Sequence, residues 1–208
     1  MKLERITGPA IEPLSLTDVR AHLRIDTAAD DRLLAALVLA ARDACENFLD
    51  RALIQQTWRL TLDDWPRRRA APWWDGVRDG ALCDVLGTTR AITLPKGLLG
   101  VTTVRTFDAA GAPTTFAAAN YLVSPGRNGR IVLMPGAAWP RPGRVADGIE
   151  IDFTAGFGAA AADVPQAIRT GLAIVVAHLF EHRGDDPLNA ARASGASALW
   201  RPYARVRV

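Results

Sequence analysis

The sequence predicts an α+β protein whose helices and strands are segregated along the chain. Three observations predict it. Apolar residues recur at helical spacing through Leu33, Leu34, Leu37, Val38, Ala41, Cys45, Phe48 and Leu49. A second stripe of the same period runs through Val164, Ile168, Leu172, Val175, Val176 and Leu179. Between the stripes the period falls to two, as where Trp58, Leu60 and Leu62 alternate with Thr57, Arg59 and Thr61. Strands that do not alternate with helices argue against a doubly wound parallel sheet.

The first helix follows Ser15, with Asp18 three residues on as a variant capping box, and runs to about Leu23. Asp30 or Asp31 caps the next, over 31–50. A half-buried strand begins after Ile54, and residues 63–90 form an irregular loop or hairpin. Strands return at Ala91–Leu94 and Val101–Phe107. Tyr121–Val123 and Ile131–Leu133 flank Pro125-Gly126-Arg127-Asn128-Gly129, a hairpin with a turn-rich connection. Ile149, Ile151 and Phe153 mark another strand. Asp163 caps the last long helix, with Pro165 in its first turn and Gly184 past its end. The economical layout packs the helix at 31–50 on the helix at 164–183. The chain then divides into an N-terminal helical segment, 1–54; an inserted antiparallel β-region, 55–162; a closing helix, 163–183; and an extended C-terminal tail, 184–208.

Composition narrows the function. Of 208 residues, 49% are hydrophobic and 23% charged, a globular balance, and 25 basic against 22 acidic residues leave a formal charge of +3. That is too little for a dedicated electrostatic DNA binder. Lys2 and Lys96 are the only lysines, so arginine carries nearly all the positive charge. Cys45 and Cys83 form no C-x-x-C, which points to a reducing compartment. The start MKLERITGPAIEP has no apolar signal-peptide core, and Leu33–Ala41 is far short of the ~20 residues of a membrane span. The expectation is a soluble protein with no membrane partner.

Two motifs suggest chemistry. His178-Leu179-Phe180-Glu181-His182 is H-x-x-E-H, in which two histidines on one helix face hold zinc and a glutamate acts as base. The class needs a third ligand downstream. No glutamate follows Glu181, and Asp185 and Asp186 sit immediately past the helix end. Gly156-Phe157-Gly158-Ala159-Ala160-Ala161 matches a dinucleotide fingerprint, but Asp163-Val164-Pro165 separates the glycines from the helix and no second strand follows. The glycines read better as the turn from sheet to helix. No catalytic residue, metal ligand or cofactor is assigned.

Two segments suggest binding instead. Arg67, Arg68 and Arg69 stand among Trp65, Trp73 and Trp74. The mixture fits a protein interface, single-stranded nucleic acid, a membrane surface, or a solvated loop whose tryptophans fold back on the sheet. The C-terminal segment carries Arg192, Arg201, Arg205 and Arg207 with no acid after Asp186, and Trp200 and Tyr203 argue that it docks.

At this point the chain resembles the head–tail connector, or adaptor, proteins of long-tailed bacteriophages and gene transfer agents. The resemblance rests on Leu16-Thr17-Asp18-Val19-Arg20-Ala21-His22-Leu23-Arg24 and on the helix at 31–50 running into Gln56-Thr57-Trp58. It rests also on Ile92-Thr93-Leu94-Pro95, Asp152-Phe153-Thr154-Ala155-Gly156-Phe157-Gly158 and Val164-Pro165-Gln166-Ala167-Ile168. The last piece is Leu199-Trp200-Arg201-Pro202-Tyr203-Ala204-Arg205. It implies a non-enzymatic particle component: a ring, commonly of twelve copies, beneath the portal protein, assembled in the bacterial cytoplasm. The ring joins the portal to the stopper or tail-terminator protein and surrounds the channel through which DNA leaves without sequence-specific contact. Leu199, Trp200, Arg201, Pro202, Tyr203, Arg205 and Arg207 become the expected portal-docking residues. Arg67, Arg68, Arg69, Trp73 and Trp74 become an expected subunit or tail interface. The alternatives are a small zinc hydrolase using His178, Glu181 and His182, or a nucleic-acid-binding module.

Overall fold

The computed structural model describes residues 1–66 and 90–204, together with the backbone of 73–74 and 77–78. Five helices and ten strands are formed among the described residues, in the α+β class the sequence predicts. Helices α1 (Leu16–Leu23) and α2 (Asp31–Leu49) come first. Ser15 Oγ accepts from the Asp18 N–H at 3.1 Å, the cap that starts α1. Asp30 holds the N-cap position of α2 without a side-chain cap bond.

Strands β2 (Gln56–Leu62), β6 (Leu98–Phe107), β7 (Pro113–Thr115) and β10 (Ile149–Ala155) join β1 (Lys2–Thr7) in a five-stranded sheet of order β1-β2-β10-β6-β7. Every pairing in it is antiparallel. The N-terminal residues are therefore not part of a helical segment; Lys2–Thr7 is an edge strand on β2. Strands β5 (Ala91–Thr93), β8 (Tyr121–Ser124) and β9 (Arg130–Leu133) form a three-stranded sheet of order β5-β9-β8. The backbone of β3 (Trp73–Trp74) pairs with β4 (Val77–Arg78) as a small hairpin.

Two cores result. Leu60, Val104, Ile149, Ile151 and Phe153 on one sheet face pack with Ile92, Ile131 and Leu133 of the smaller sheet and with Leu94, just past β5. The helical core joins α2, through Leu34, Val38, Ala41 and Cys45, to α3 (Gln166–Glu181), through Ile168, Leu172, Val175 and Val176. Asp163 does not cap α3: its carboxylate closes a short 3₁₀ turn by accepting from the Ala160 N–H at 2.9 Å, and Pro165 holds the cap position.

The C-terminal segment also departs from expectation. Residues 184–204 are not extended. Helices α4 (Pro187–Ala193) and α5 (Ala196–Trp200) and a 3₁₀ turn, Arg201–Tyr203, fold back on α3. Alanine has the highest helix propensity and lets helices approach closely, so Ala190, Ala191 and Ala196 bury completely.

Candidate functional site

The C-terminal segment is fixed from its first turn. Asp186 Oδ1 accepts from the N–H groups of Leu188 and Asn189 at 3.0 and 3.1 Å, and Pro187 begins α4. Trp200 is 0% exposed. Its indole lies on Gly171 of α3, where an added Cβ would stand 2.3 Å from Nε1. Nε1 donates to the Ile168 carbonyl at 3.3 Å, and the Phe48 ring lies 5.9 Å away. Trp200 thus docks on its own protein's core. Leu199 packs partly against the same core, while Arg201 and Pro202 are exposed.

Beyond α5 the chain is tied to the β-region. Tyr203 meets Phe157 edge-on at 6.5 Å. The Arg51 guanidinium covers the Phe157 ring at 3.7 Å and donates to the Gly156 carbonyl at 3.3 Å. From the β8–β9 turn, Arg127 Nη1 donates to the carbonyls of Pro202 and Ala204 at 3.1 and 3.2 Å. Arg205 and Arg207 lie outside the described residues.

The other predicted interface is divided. Trp65 is buried, stacks on Trp139 at 4.4 Å and donates Nε1 to the Pro140 carbonyl at 2.6 Å, so this tryptophan does fold back on the sheet. Trp73 and Trp74 contribute backbone to the hairpin, and Arg67, Arg68 and Arg69 lie outside the described residues.

The H-x-x-E-H residues do not assemble a metal site. His178 Nε2 bonds Asp185 Oδ2 at 2.9 Å and His182 Nδ1 bonds the His178 carbonyl at 3.1 Å. The two rings stack with centroids 4.4 Å apart, an arrangement set by their helical spacing and by these partners. Among the described residues no three metal-ligating side chains gather. The glycine motif is likewise a structural turn. Gly156 has φ +145°, and a Cβ there would meet the Ile54 backbone at 2.9 Å. Asp163 fills the space at Gly158, so a carboxylate stands where a phosphate would have to approach.

A polar network that sequence reasoning missed covers the outer face of the five-stranded sheet. Arg59 grips Asp152 with two bonds, Nε–Oδ1 at 2.7 Å and Nη2–Oδ2 at 3.0 Å. Arg105 Nη2 donates to the same Oδ2 at 2.6 Å and lies 3.3 Å from Glu150. Thr103 donates its hydroxyl at 3.3 Å. Each of the three strands shows its part of the pattern, but only the register that sets Asp152 between Arg59 and Thr103 assembles it. Burial pushes the Asp152 carboxyl up, yet the bond and charge of Arg59, the charge of Arg105 and the Thr103 hydroxyl outweigh it and hold it below its usual 3.8. Its stabilisation is therefore present above that value and is lost as pH falls through the depressed one. Asp152→Asn is expected to cost on the order of 1–2 kcal/mol at neutral pH, a bidentate pair discounted for its partial exposure. Urea midpoints at neutral and acid pH check this: the deficit of the variant should shrink toward acid.

Comparison with known proteins agrees with the geometry. The phage gp6-like head–tail connector protein family matches residues 13–72. A chain in the virion of a native gene transfer agent superposes with a TM-score of 0.76 at 30% identity, covering 100% of this chain and 97% of that one. A chain in the neck of an empty gene transfer agent particle, computed with C6 symmetry, gives 0.76 at 29% identity with the same coverage. One in the native neck, computed with C12 symmetry, gives 0.66 at 30%, again with 100% and 97% covered. No curated protein matches. The chain belongs to the phage gp6-like head–tail connector family and is a structural particle protein, not an enzyme.

Proposed function

We propose that the protein is one subunit of a closed ring in the neck of a phage-like particle. The ring holds twelve copies between the portal protein and the stopper or tail-terminator protein, and DNA passes through it without sequence-specific contact. The observation that carries this is the likeness, over the whole chain, to subunits of necks computed with C6 and C12 symmetry. Twelve-fold symmetry contains the six-fold, so one ring of twelve satisfies both. A closed ring requires heterologous contacts, in which different faces of neighbouring copies meet. The contacts proposed are the sheet edge at β1 and, from its sequence, the segment bearing Arg67, Arg68, Arg69, Trp73 and Trp74.

The portal-docking element on this reading is the end of the C-terminal segment: the exposed Arg201 and Pro202 and the half-buried Tyr203, followed in sequence by Arg205 and Arg207. Leu199 and Trp200 support it from within. Because α4 and α5 belong to the core, the informative deletion starts after Ala204. A chain ending at Ala204 should melt within a few degrees of the full chain. It should be missing from particles assembled without a full-length copy, as read by immunoblot of purified particles. Particles that incorporate it fully and still deliver DNA would overturn the docking assignment.

A further inference from the structure

Arg51 and Arg127 form a cationic site that no carboxylate among the described residues neutralises. Arg51 follows α2 and Arg127 sits in the β8–β9 turn, residues distant in sequence that are each tied to the last described turn, Arg51 through Phe157 and Arg127 through its carbonyls. The link is continuous: Arg51 covers Phe157, Phe157 meets Tyr203, and Arg127 bonds the carbonyls on either side of Tyr203. Ion pairs among the described residues leave both guanidiniums without a carboxylate. Asp50, next to Arg51 in sequence, is taken by Lys96 at 2.9 Å.

Arg51 is held in place. A Cβ on Gly97 would stand 2.6 Å from its Nε, so the side chain lies directly on that glycine. Its Nε is buried with no hydrogen-bond partner. Burial, and then the charge of Arg127, push the Arg51 guanidinium down from its ordinary value. Both cations are thus anchored by the protein itself, each giving part of its N–H fork to backbone carbonyls and keeping the remainder. Planar forks of this kind pair with carboxylates.

We infer that Arg51 and Arg127 form a receptor for a carboxylate-bearing segment of the protein on which the C-terminal end docks. This rests on the docking reading above and adds the chemistry of the partner: an acidic stretch of polypeptide. Nucleic acid is the less fitting occupant. Affinity for DNA grows with every phosphate neutralised, so a ring of such sites facing the channel would hold the DNA that a connector must release.

The test uses the full-length protein and a fluorescein-labelled decapeptide of alternating Asp and Ala, followed by anisotropy at 150 mM salt. Arg127→Glu should weaken binding at least tenfold, whereas Arg192→Glu, an exposed arginine on α4, should change it less than twofold. Arg127→Ala, with the same direction and a smaller loss, serves if the glutamate variant melts early. The chain ending at Ala204 retains both arginines and should still bind. Wild-type protein that ignores the peptide, or an Arg127 variant that binds it unchanged, overturns the inference. So does a 20-base-pair duplex that binds more tightly and displaces the peptide. Failure of peptide binding alongside loss of the Ala204-terminated chain from particles would reject the acidic partner and keep the docking element. Peptide binding alongside full incorporation of that chain would do the reverse.

Discussion

A chain ending at Gly184 will not fold to the native state. Removing residues 185–208 takes away Ala190, Ala191, Ala196 and Trp200, all fully buried, and uncovers the α2–α3 core. A graded version is Trp200→Ala. Deleting a buried tryptophan side chain costs about 3–5 kcal/mol in lost transfer energy and cavity. For a chain of this length that lowers the melting temperature by roughly 6–20 °C. Gly171→Leu should do comparable harm from the other side, because the indole occupies the space its side chain needs. Calorimetry of the three proteins checks this, with a full-height near-ultraviolet dichroism signal from the Gly184-terminated chain as the contrary result. Any particle-assembly defect from such a deletion would report unfolding rather than lost docking.

The second large effect lies where the helical unit meets the sheet. Glu46, on α2, is 8% exposed. One carboxylate oxygen, Oε1, accepts from the Leu53 N–H and from Gln56 Nε2, both at 2.8 Å. Both donors stand where the chain passes from α2 into β2. Glu46→Ala leaves two buried donors unpaired and is expected to cost about 2–4 kcal/mol. Glu46→Gln keeps an oxygen for both donors and removes the buried charge. Burial raises the Glu46 carboxyl above its usual 4.5, more than the Leu53 bond and the Arg42 charge lower it. The folded state therefore holds the proton more tightly than the unfolded one. The stability this confers is complete below 4.5 and declines as pH climbs through the raised value. Glu46→Gln should lack that decline and match or exceed wild type at neutral pH. Urea midpoints of the three proteins between pH 4 and 8 read both effects.

The long periodic elements were legible in the sequence. Eight apolar positions from Leu33 to Leu49 specify α2 because a 19-residue helix repeats its signal. Strand β10 alternates buried and half-buried positions along its whole length, and it alternates in sequence too. What stayed hidden depends on partners. Strand β1 is an edge strand whose KLERIT carries little apolar weight, and its pairing with β2 places it. The C-terminal segment is too rich in Ala, Ser and Arg to show an apolar stripe, although Asp186-Pro187 is a helix start that composition masked.

Trp200 was legible as an anchor but not as an internal one, since a sequence does not show that Gly171 leaves room for an indole. The histidine spacing was also real. Whether such a pair converges on a metal or stacks depends on the hydrogen-bond partners of each ring. The Arg51–Arg127 pair joins positions 76 apart in sequence and had no local signal.

The proposed role depends on where the protein sits. Cryo-electron microscopy of phage-like particles carrying a small tag on this chain measures that directly. The expected result is a ring of tagged density at the head–tail junction, twelve copies around an open channel and in contact with the portal. Complete, DNA-filled particles with no tagged density in the neck, and the protein recovered instead as free subunits, would contradict it.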